Sequence, residues 1–227
     1  MPAAVGSTTV EAVTEQLETL ELWREDACQK VLPDVLKLSP SERPILVDRL
    51  EDLLDSPNEQ VRWNVGRVVE LLIDWDPELI SDDLLGRLAV DDFFSVRSSA
   101  AVAYYSLARS APNRVPVEIL GRLANYDEDW YVMTPATSAL IRLARTRPVA
   151  MDVLARDLDA EDRETRRHAA DALRRIGLEH PAALRADIAD RLEPSSDKKL
   201  RRLGNDWSEH LAASRSRAEA PLDSYMF

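Results

Sequence analysis

The stretch VRWNVGRVVELLI, residues 61–73, decides the fold of this chain. Its apolar residues recur every three or four positions, which places them along one side of an α-helix. They are Val61, Val65, Val68, Val69, Leu72 and Ile73. The same pattern begins again at Val96, Val132, Thr165 and Leu200, at intervals of 35, 36, 33 and 35 residues. A period of this length indicates an array of one repeated supersecondary unit.

Shorter apolar segments lie between these helices and predict a second helix in each unit. They cover residues 44–54, 84–88, 119–123, 153–158 and 188–192. Two of the helix starts carry a serine suited to the N-cap and a proline suited to the first helical position, at Ser39-Pro40 and at Ser56-Pro57. No segment shows the alternation of apolar and polar residues that strands require. The sequence therefore predicts an all-α solenoid of about five helical hairpins.

Units in which a turn aspartate precedes a Val-Arg pair and an alanine-rich helix resemble HEAT repeats, from roughly Pro40 to Ala213. The resemblance implies a right-handed α-α superhelix in which turn aspartates and helix-opening arginines form a ladder of hydrogen bonds. The pairs that it implies are Asp55 with Arg62, Asp91 or Asp92 with Arg97, and Asp159 with Arg166. The third unit departs from the pattern, because Met133 stands where the arginine would be.

We expect the chain to be divided into three parts. Residues 1–38 are expected to form an N-terminal cap, with one long helix from Thr8 to Leu32, because the end unit of a solenoid otherwise exposes its apolar face. Residues 39–213 carry the repeats, and residues 214–227 lose the periodicity and are expected to be a flexible tail.

The charge balance and the single cysteine limit the function classes. The chain has 41 acidic and 29 basic residues, a formal charge of -12 that disfavours non-specific attraction to nucleic acid or anionic lipid. Cys28 has no second cysteine to pair with, which is typical of a reducing compartment, so we expect a cytoplasmic protein. No segment has the length and apolar character of a membrane span, so no membrane association is expected.

The residues give no sign of a reaction centre. The three histidines have no second histidine one turn away, and the HEAT-like iron hydroxylases instead carry His-Glu pairs, which here are reversed as Glu179-His180 and Glu209-His210. The six glycines are dispersed and form no phosphate-binding loop; Gly86 and Gly121 share one repeat position, which predicts close helix packing there. We expect no catalytic residues, no metal and no cofactor.

The face opposite the apolar stripe of each second helix is the predicted partner-binding surface, because that helix lines the concave side of HEAT-type solenoids. The candidate residues are Trp63, Arg67, Val102, Tyr105, Arg109, Ile141, Arg145, Arg167 and Arg174. Charge is segregated in the same way: residues 94–109, 130–147 and 162–178 carry net charges of +2, +3 and +2, whereas residues 78–92, 115–129 and 149–161 carry -4, -3 and -3. This pattern predicts a locally basic groove that suits an acidic peptide.

The function expected from these patterns is that of a non-enzymatic scaffold or adaptor for another protein. A nucleic-acid-binding or DNA-glycosylase-like HEAT protein is the first alternative, since a concave groove with Trp63, Tyr105 and several arginines would permit it. A phycobilin-lyase-like or chaperone-like helper is the second. The sequence contains no feature that identifies the partner.

Overall fold

The computed structural model describes residues 9–19, 25–180, 183, 185–193, 195 and 198–219 of the chain. Every regular element in these residues is helical. The α-helices are α1 Val10–Thr19, α2 Glu25–Lys37, α3 Glu42–Leu53, α4 Glu59–Trp75, α5 Asp82–Leu88, α6 Phe94–Ser110, α7 Val117–Asn125, α8 Trp130–Ala144, α9 Val149–Arg156, α10 Arg163–Glu179, α11 Ala186–Leu192 and α12 Lys198–Glu219. Short 3₁₀ turns cover Pro77–Leu79, Pro112–Arg114 and Asp157–Asp159.

From α3 onward the helices alternate between shorter and longer, as α3–α4, α5–α6, α7–α8, α9–α10 and α11–α12. These five hairpins confirm the predicted repeat. The chain is an all-α helical-repeat solenoid. It divides into two compact units, residues 1–139 and residues 140–227, and the boundary between them falls within α8.

The predicted apolar stripe forms the core of each unit. In residues 1–139 all six stripe residues of α4 are buried, and Val65 and Val69 are 0% exposed. The matching residues of α6, from Val96 to Ala108, are buried as well. In residues 140–227 Trp207 lies seven residues after Leu200, as Val68 lies seven residues after Val61, and it is 4% exposed. Helical periodicity alone was therefore sufficient to locate the core.

Helices α4 and α6 approach each other closely at Gly66. A Cβ atom added to Gly66 would lie 2.7 Å from the Cβ of Ser99 and 3.0 Å from its Oγ, so any larger residue would displace α6. Gly86 differs, because an added Cβ there would meet nothing within 4 Å. The prediction that Gly86 allows close helix packing is therefore wrong.

The N-terminal segment contains two helices where one long helix was predicted from Thr8 to Leu32. Helices α1 and α2 pack against each other, and Gln16 Nε2 donates to Asp34 Oδ2 at 3.4 Å. The first repeat holds α1 through Asn64, which is fully buried and donates from Nδ2 to the carbonyl of Leu17 at 3.0 Å. Because Leu17 lies in the last turn of α1, this bond satisfies a carbonyl that has no partner within its own helix.

Both predicted helix starts lie two residues before the observed ones. At the first, α3 begins at Glu42 with Ser41 at the N-cap position, although the N–H of Ser39 still donates to Glu42 Oε2 at 2.8 Å. At the second, the cap is Asn58 rather than Ser56: Asn58 Oδ1 accepts from the N–H of Gln60 at 3.0 Å, and α4 begins at Glu59.

The predicted arginine ladder exists, but the predicted pairs of Arg62 and Arg166 are wrong, and that of Arg97 is made only through backbone carbonyls. Arg62 does not pair with Asp55; its Nε and Nη2 donate to the carboxylate of Asp91 in the next repeat, at 2.7 and 3.0 Å. Arg97 likewise reaches Asp127 in the next repeat, at 2.6 and 3.0 Å, and contacts Asp91 and Asp92 only through their backbone carbonyls. Each of these two arginines therefore donates to backbone carbonyls of its own repeat and to a side-chain carboxylate of the following repeat.

Asp55 and Asp159 instead receive arginines from the first helix of the following hairpin. Arg87 Nη2 donates to Asp55 at 2.6 Å, and Arg191 pairs with Asp159 in the same way. Arg166, which was predicted to bind Asp159, donates to the carbonyls of Ala160 and Glu161. Arg87 and Arg191 thus link consecutive repeats.

Candidate functional site

A basic groove lies between α10 and α12, entirely within residues 140–227. Its volume is about 500 Å³. Ala170, Leu200 and Leu203 form an apolar floor; each of them is buried. At one end Leu178 lines the groove and is 70% exposed, an unusual exposure for a leucine.

The rim of the groove is strongly basic. The basic lining residues are Arg163, Arg166, Arg167, Arg174, Lys199 and Arg202. The acidic lining residues are Asp171 and Asp206. Six positive and two negative side chains leave an excess of four positive charges, in a protein whose formal net charge is -12.

Helix α10 presents these arginines because its two faces differ in composition. Its buried face consists of Ala169, Ala172, Leu173 and Ile176 with neighbouring small residues, while the arginines occupy the opposite side at helical spacing. The helix start is fixed by Asp162, whose carboxylate accepts from the N–H of Thr165 at 2.6 Å. That hydrogen bond lowers the pKa of Asp162, so its carboxylate stays charged at the helix N-terminus.

The basic side chains of the rim are only partly neutralised. Arg166 is held by the carbonyls of Ala160 and Glu161, whereas Arg174 and Arg202 face Asp171 and Asp206 at the long distances of 3.7 and 3.9 Å. Arg163 and Arg167 are exposed and have no carboxylate partner among the residues that the structure describes. Two guanidinium groups therefore stand next to an apolar floor and can donate to an external anion.

The structure brings two of the nine predicted partner residues, Arg167 and Arg174, into this groove. Arg145 is exposed but does not line it. Ile141 is only 2% exposed, so its prediction as an exposed anchor is wrong. The prediction assumed that each second helix buries a single stripe, whereas α8 buries Ile141 together with Leu140 and Leu143 and so has a wider apolar face.

The other five predicted residues lie on α4 and α6 in residues 1–139. Trp63 and Val102 are half-buried, and Tyr105 is 37% exposed. Arg67 donates to Glu70 at 2.6 Å and Arg109 to Asp74 at 3.2 Å, so both arginines are engaged within the protein.

The carboxyl of Glu70 on this surface has a raised pKa. Burial raises its pKa, and the opposing contributions of the Arg67 charge and of a hydrogen bond from Ser99 do not fully compensate. Glu70 therefore stabilises the α4–α6 contact less when it is ionised than when it is protonated.

Sequence reasoning missed Arg163, Lys199 and Arg202. A signal was available for Arg202, which lies two residues after Leu200, just as Arg167 lies two residues after Thr165. Extending the partner set to the fifth repeat would have found it. Arg163 and Lys199 lie outside that register, and only the packing of α10 beside α12 shows that they share a groove.

The structure offers no competing site for metal chemistry in the part of the chain that it describes. Among those residues no three His, Cys, Asp or Glu side chains are grouped so that they could hold a metal ion. None of the described helices combines the length and the apolar character needed to cross a membrane.

Comparisons with known proteins return designed solenoids. No family model matches the chain. No curated protein sequence matches it either. Among solved structures, the designed armadillo repeat protein YIII(Dq)4CqI is 16% identical, with a TM-score of 0.46 over 88% of this chain and 99% of that one. A computationally designed armadillo repeat protein for modular peptide recognition has 16% identity and a TM-score of 0.48, over 88% and 99% of the two chains. A third, in complex with the peptide (KR)4, has 14% identity and a TM-score of 0.44, over 88% and 98%.

Proposed function

We propose that this protein is a non-enzymatic binding scaffold that holds an acidic segment of another protein in the groove between α10 and α12. The observation that carries the proposal is the pair of exposed arginines, Arg163 and Arg167, which have no carboxylate partner among the described residues and lie beside four further basic side chains. Guanidinium groups match carboxylates in a two-point geometry, which gives both affinity and orientation.

The apolar floor favours a peptide over a nucleic acid. Leu200, Leu203 and the exposed Leu178 would contact aliphatic parts of a bound chain, whereas a phosphate backbone offers them nothing. The formal charge of -12 would also repel a long polyanion at a distance, because its field extends beyond the groove at low ionic strength. A short acidic segment contacts the rim without encountering the rest of that charge.

The proposed mechanism is occupancy of a preformed groove, with no chemical step. The repeats hold α10 and α12 side by side, so the basic rim needs no rearrangement before binding. The proposal also includes a cytoplasmic location for the protein and its partner, because a single cysteine, Cys28, is typical of proteins in a reducing compartment.

The test is a fluorescence anisotropy titration of the purified protein at several salt concentrations. The probes are a fluorescein-labelled glutamate-rich peptide, a lysine-rich peptide of equal length, and labelled single-stranded and duplex DNA. The proposal predicts saturable binding of the glutamate-rich peptide that weakens with salt, and no saturable binding of the other probes. Tighter binding of DNA than of the acidic peptide would replace it with the nucleic-acid alternative, and binding of none of the probes at low salt would remove the groove as a site for anions.

A further inference from the structure

The groove between α10 and α12 is not uniformly basic along its length. Arg163 and Arg167 belong to the first turns of α10, whereas Leu178 belongs to its last turn, and all three line the same groove. Lys199 and Arg202, from the first turns of α12, also line the groove. In the last turn of α10 the exposed lining residue is Leu178, and Arg174, one turn before it, faces Asp171 at 3.7 Å.

A groove with arginines at one end and an exposed leucine at the other implies a ligand with an acidic part and an apolar part. We infer that the ligand of the groove is an extended acidic segment with one large apolar side chain, whose carboxylates face Arg163 and Arg167 while its apolar side chain covers Leu178. The inference rests on the proposed function, since it specifies what kind of acidic segment the groove selects.

The helix geometry sets the spacing within the ligand. Arg167 and Leu178 are eleven residues apart on α10, which corresponds to roughly 16 Å at the rise of an α-helix. An extended peptide covers that length in about five residues. The preferred segment therefore places its apolar side chain about five residues from the last of its clustered acids.

The two acids of the lining support a ligand of this kind. Asp171 lies between Arg167 and Arg174 on α10, and Asp206 is the last lining residue on α12. Asp171 lies one turn beyond Arg167 in the direction of Leu178, so it would repel acidic residues that continue along α10 toward Leu178. A uniformly acidic peptide would place carboxylates against Asp171, whereas a segment that becomes uncharged after its acidic cluster would not.

The experiment compares labelled peptides against the full chain by fluorescence anisotropy. The peptides carry a glutamate cluster and a leucine with about four serines between them, in both orders, together with versions in which the leucine is replaced by serine or moved next to the cluster. The protein variants are Leu178→Ser, which removes an exposed side chain, and Leu36→Ser, a matched control at a leucine that is 51% exposed in residues 1–139.

The inference predicts that, in one of the two orders, the correctly spaced leucine tightens binding about tenfold, or ~1.4 kcal/mol. It predicts that Leu178→Ser abolishes this gain, and that Leu36→Ser changes neither the gain nor the affinity for the serine version. Equal affinity for all glutamate peptides, unaffected by Leu178→Ser, overturns the inference and leaves the proposed function intact. Failure of every glutamate peptide to bind at low salt overturns the proposed function itself.

Discussion

Replacing Gly66 with alanine tests the packing that holds the first two long helices together. The added Cβ would lie 2.7 Å from Ser99 Cβ, so α4 and α6 must separate by several tenths of an ångström. Overpacking of this kind costs about 1–3 kcal/mol. The better helix propensity of alanine offsets about 1 kcal/mol of this cost. We therefore expect Gly66→Ala to lower the free energy of unfolding by up to about 2 kcal/mol.

The matched control is Gly86→Ala. An added Cβ at Gly86 meets nothing within 4 Å, so only the propensity gain remains. This variant should raise the free energy of unfolding by about 0.5–1 kcal/mol. Urea denaturation followed by far-ultraviolet circular dichroism measures both variants against the parent protein.

A double variant attributes the effect to the residue pair. Ser99→Gly removes the Cβ and Oγ that the new methyl group would strike, so Gly66→Ala should cost less in the Ser99→Gly background than in the parent. Ser99 also bonds Glu70, and the single Ser99→Gly variant accounts for the loss of that bond. If Gly66→Ala stabilises the protein as much as Gly86→Ala does, the close approach of α4 and α6 is refuted.

Three further predictions concern polar groups inside residues 1–139. Asp91→Asn should lower the free energy of unfolding by about 1–3 kcal/mol in the same urea assay, because it weakens the hydrogen bonds to Arg62 in a pair whose side chains are only 11% and 10% exposed. The carboxylate of Asp92 is 89% exposed, so Asp92→Asn should cost about 0.5 kcal/mol or less. Tyr104→Phe should stabilise the protein by about 1 kcal/mol and raise its melting temperature, because the buried hydroxyl of Tyr104 has no hydrogen-bond partner among the described residues. A lower melting temperature would mean that this hydroxyl does have a hydrogen-bond partner. The raised pKa of Glu70 means that the folded protein keeps this proton after the unfolded chain has lost it, so the free energy of unfolding falls as pH rises from the ordinary pKa of 4.5 through the raised one. Glu70→Gln should reduce this fall in urea titrations at successive pH values, and an unchanged pH profile would contradict the prediction.

The core was predictable from the sequence because helical periodicity is a local property and is repeated five times. The stripe that begins at Val61 recurs in register, and its members in α4, α6 and α8 are buried where the pattern placed them. Charge segregation predicted a basic groove along the second helices. Arg167 and Arg174 line a basic groove at α10, whereas Arg67 and Arg109 are paired with carboxylates within the protein. Both features depend only on which residues share a helix face.

Features that depend on how repeats stack were not predictable. Arg62 could reach Asp55 in its own turn or Asp91 in the next, and only the offset between consecutive hairpins selects Asp91. The width of a buried face has the same origin, since the stripe pattern does not show that α8 also buries Ile141. Asn58 and Ser56 are both good caps by residue type, and the backbone conformation at Asn58 decides between them.

The most direct test of the account is the affinity of a glutamate-rich peptide for two double variants that each lose two positive charges. Arg163→Ser with Arg167→Ser removes the two arginines of the rim that have no carboxylate partner among the described residues. Arg175→Ser with Arg201→Ser removes two arginines of the same helices that do not line the groove. If the groove binds acidic segments, the first variant should bind at least about tenfold more weakly than the parent protein, a loss of ~1.4 kcal/mol, while the second remains within about twofold of it. Equal weakening in the two variants would show that the peptide responds only to overall charge, and would contradict the assignment of the groove as the binding site.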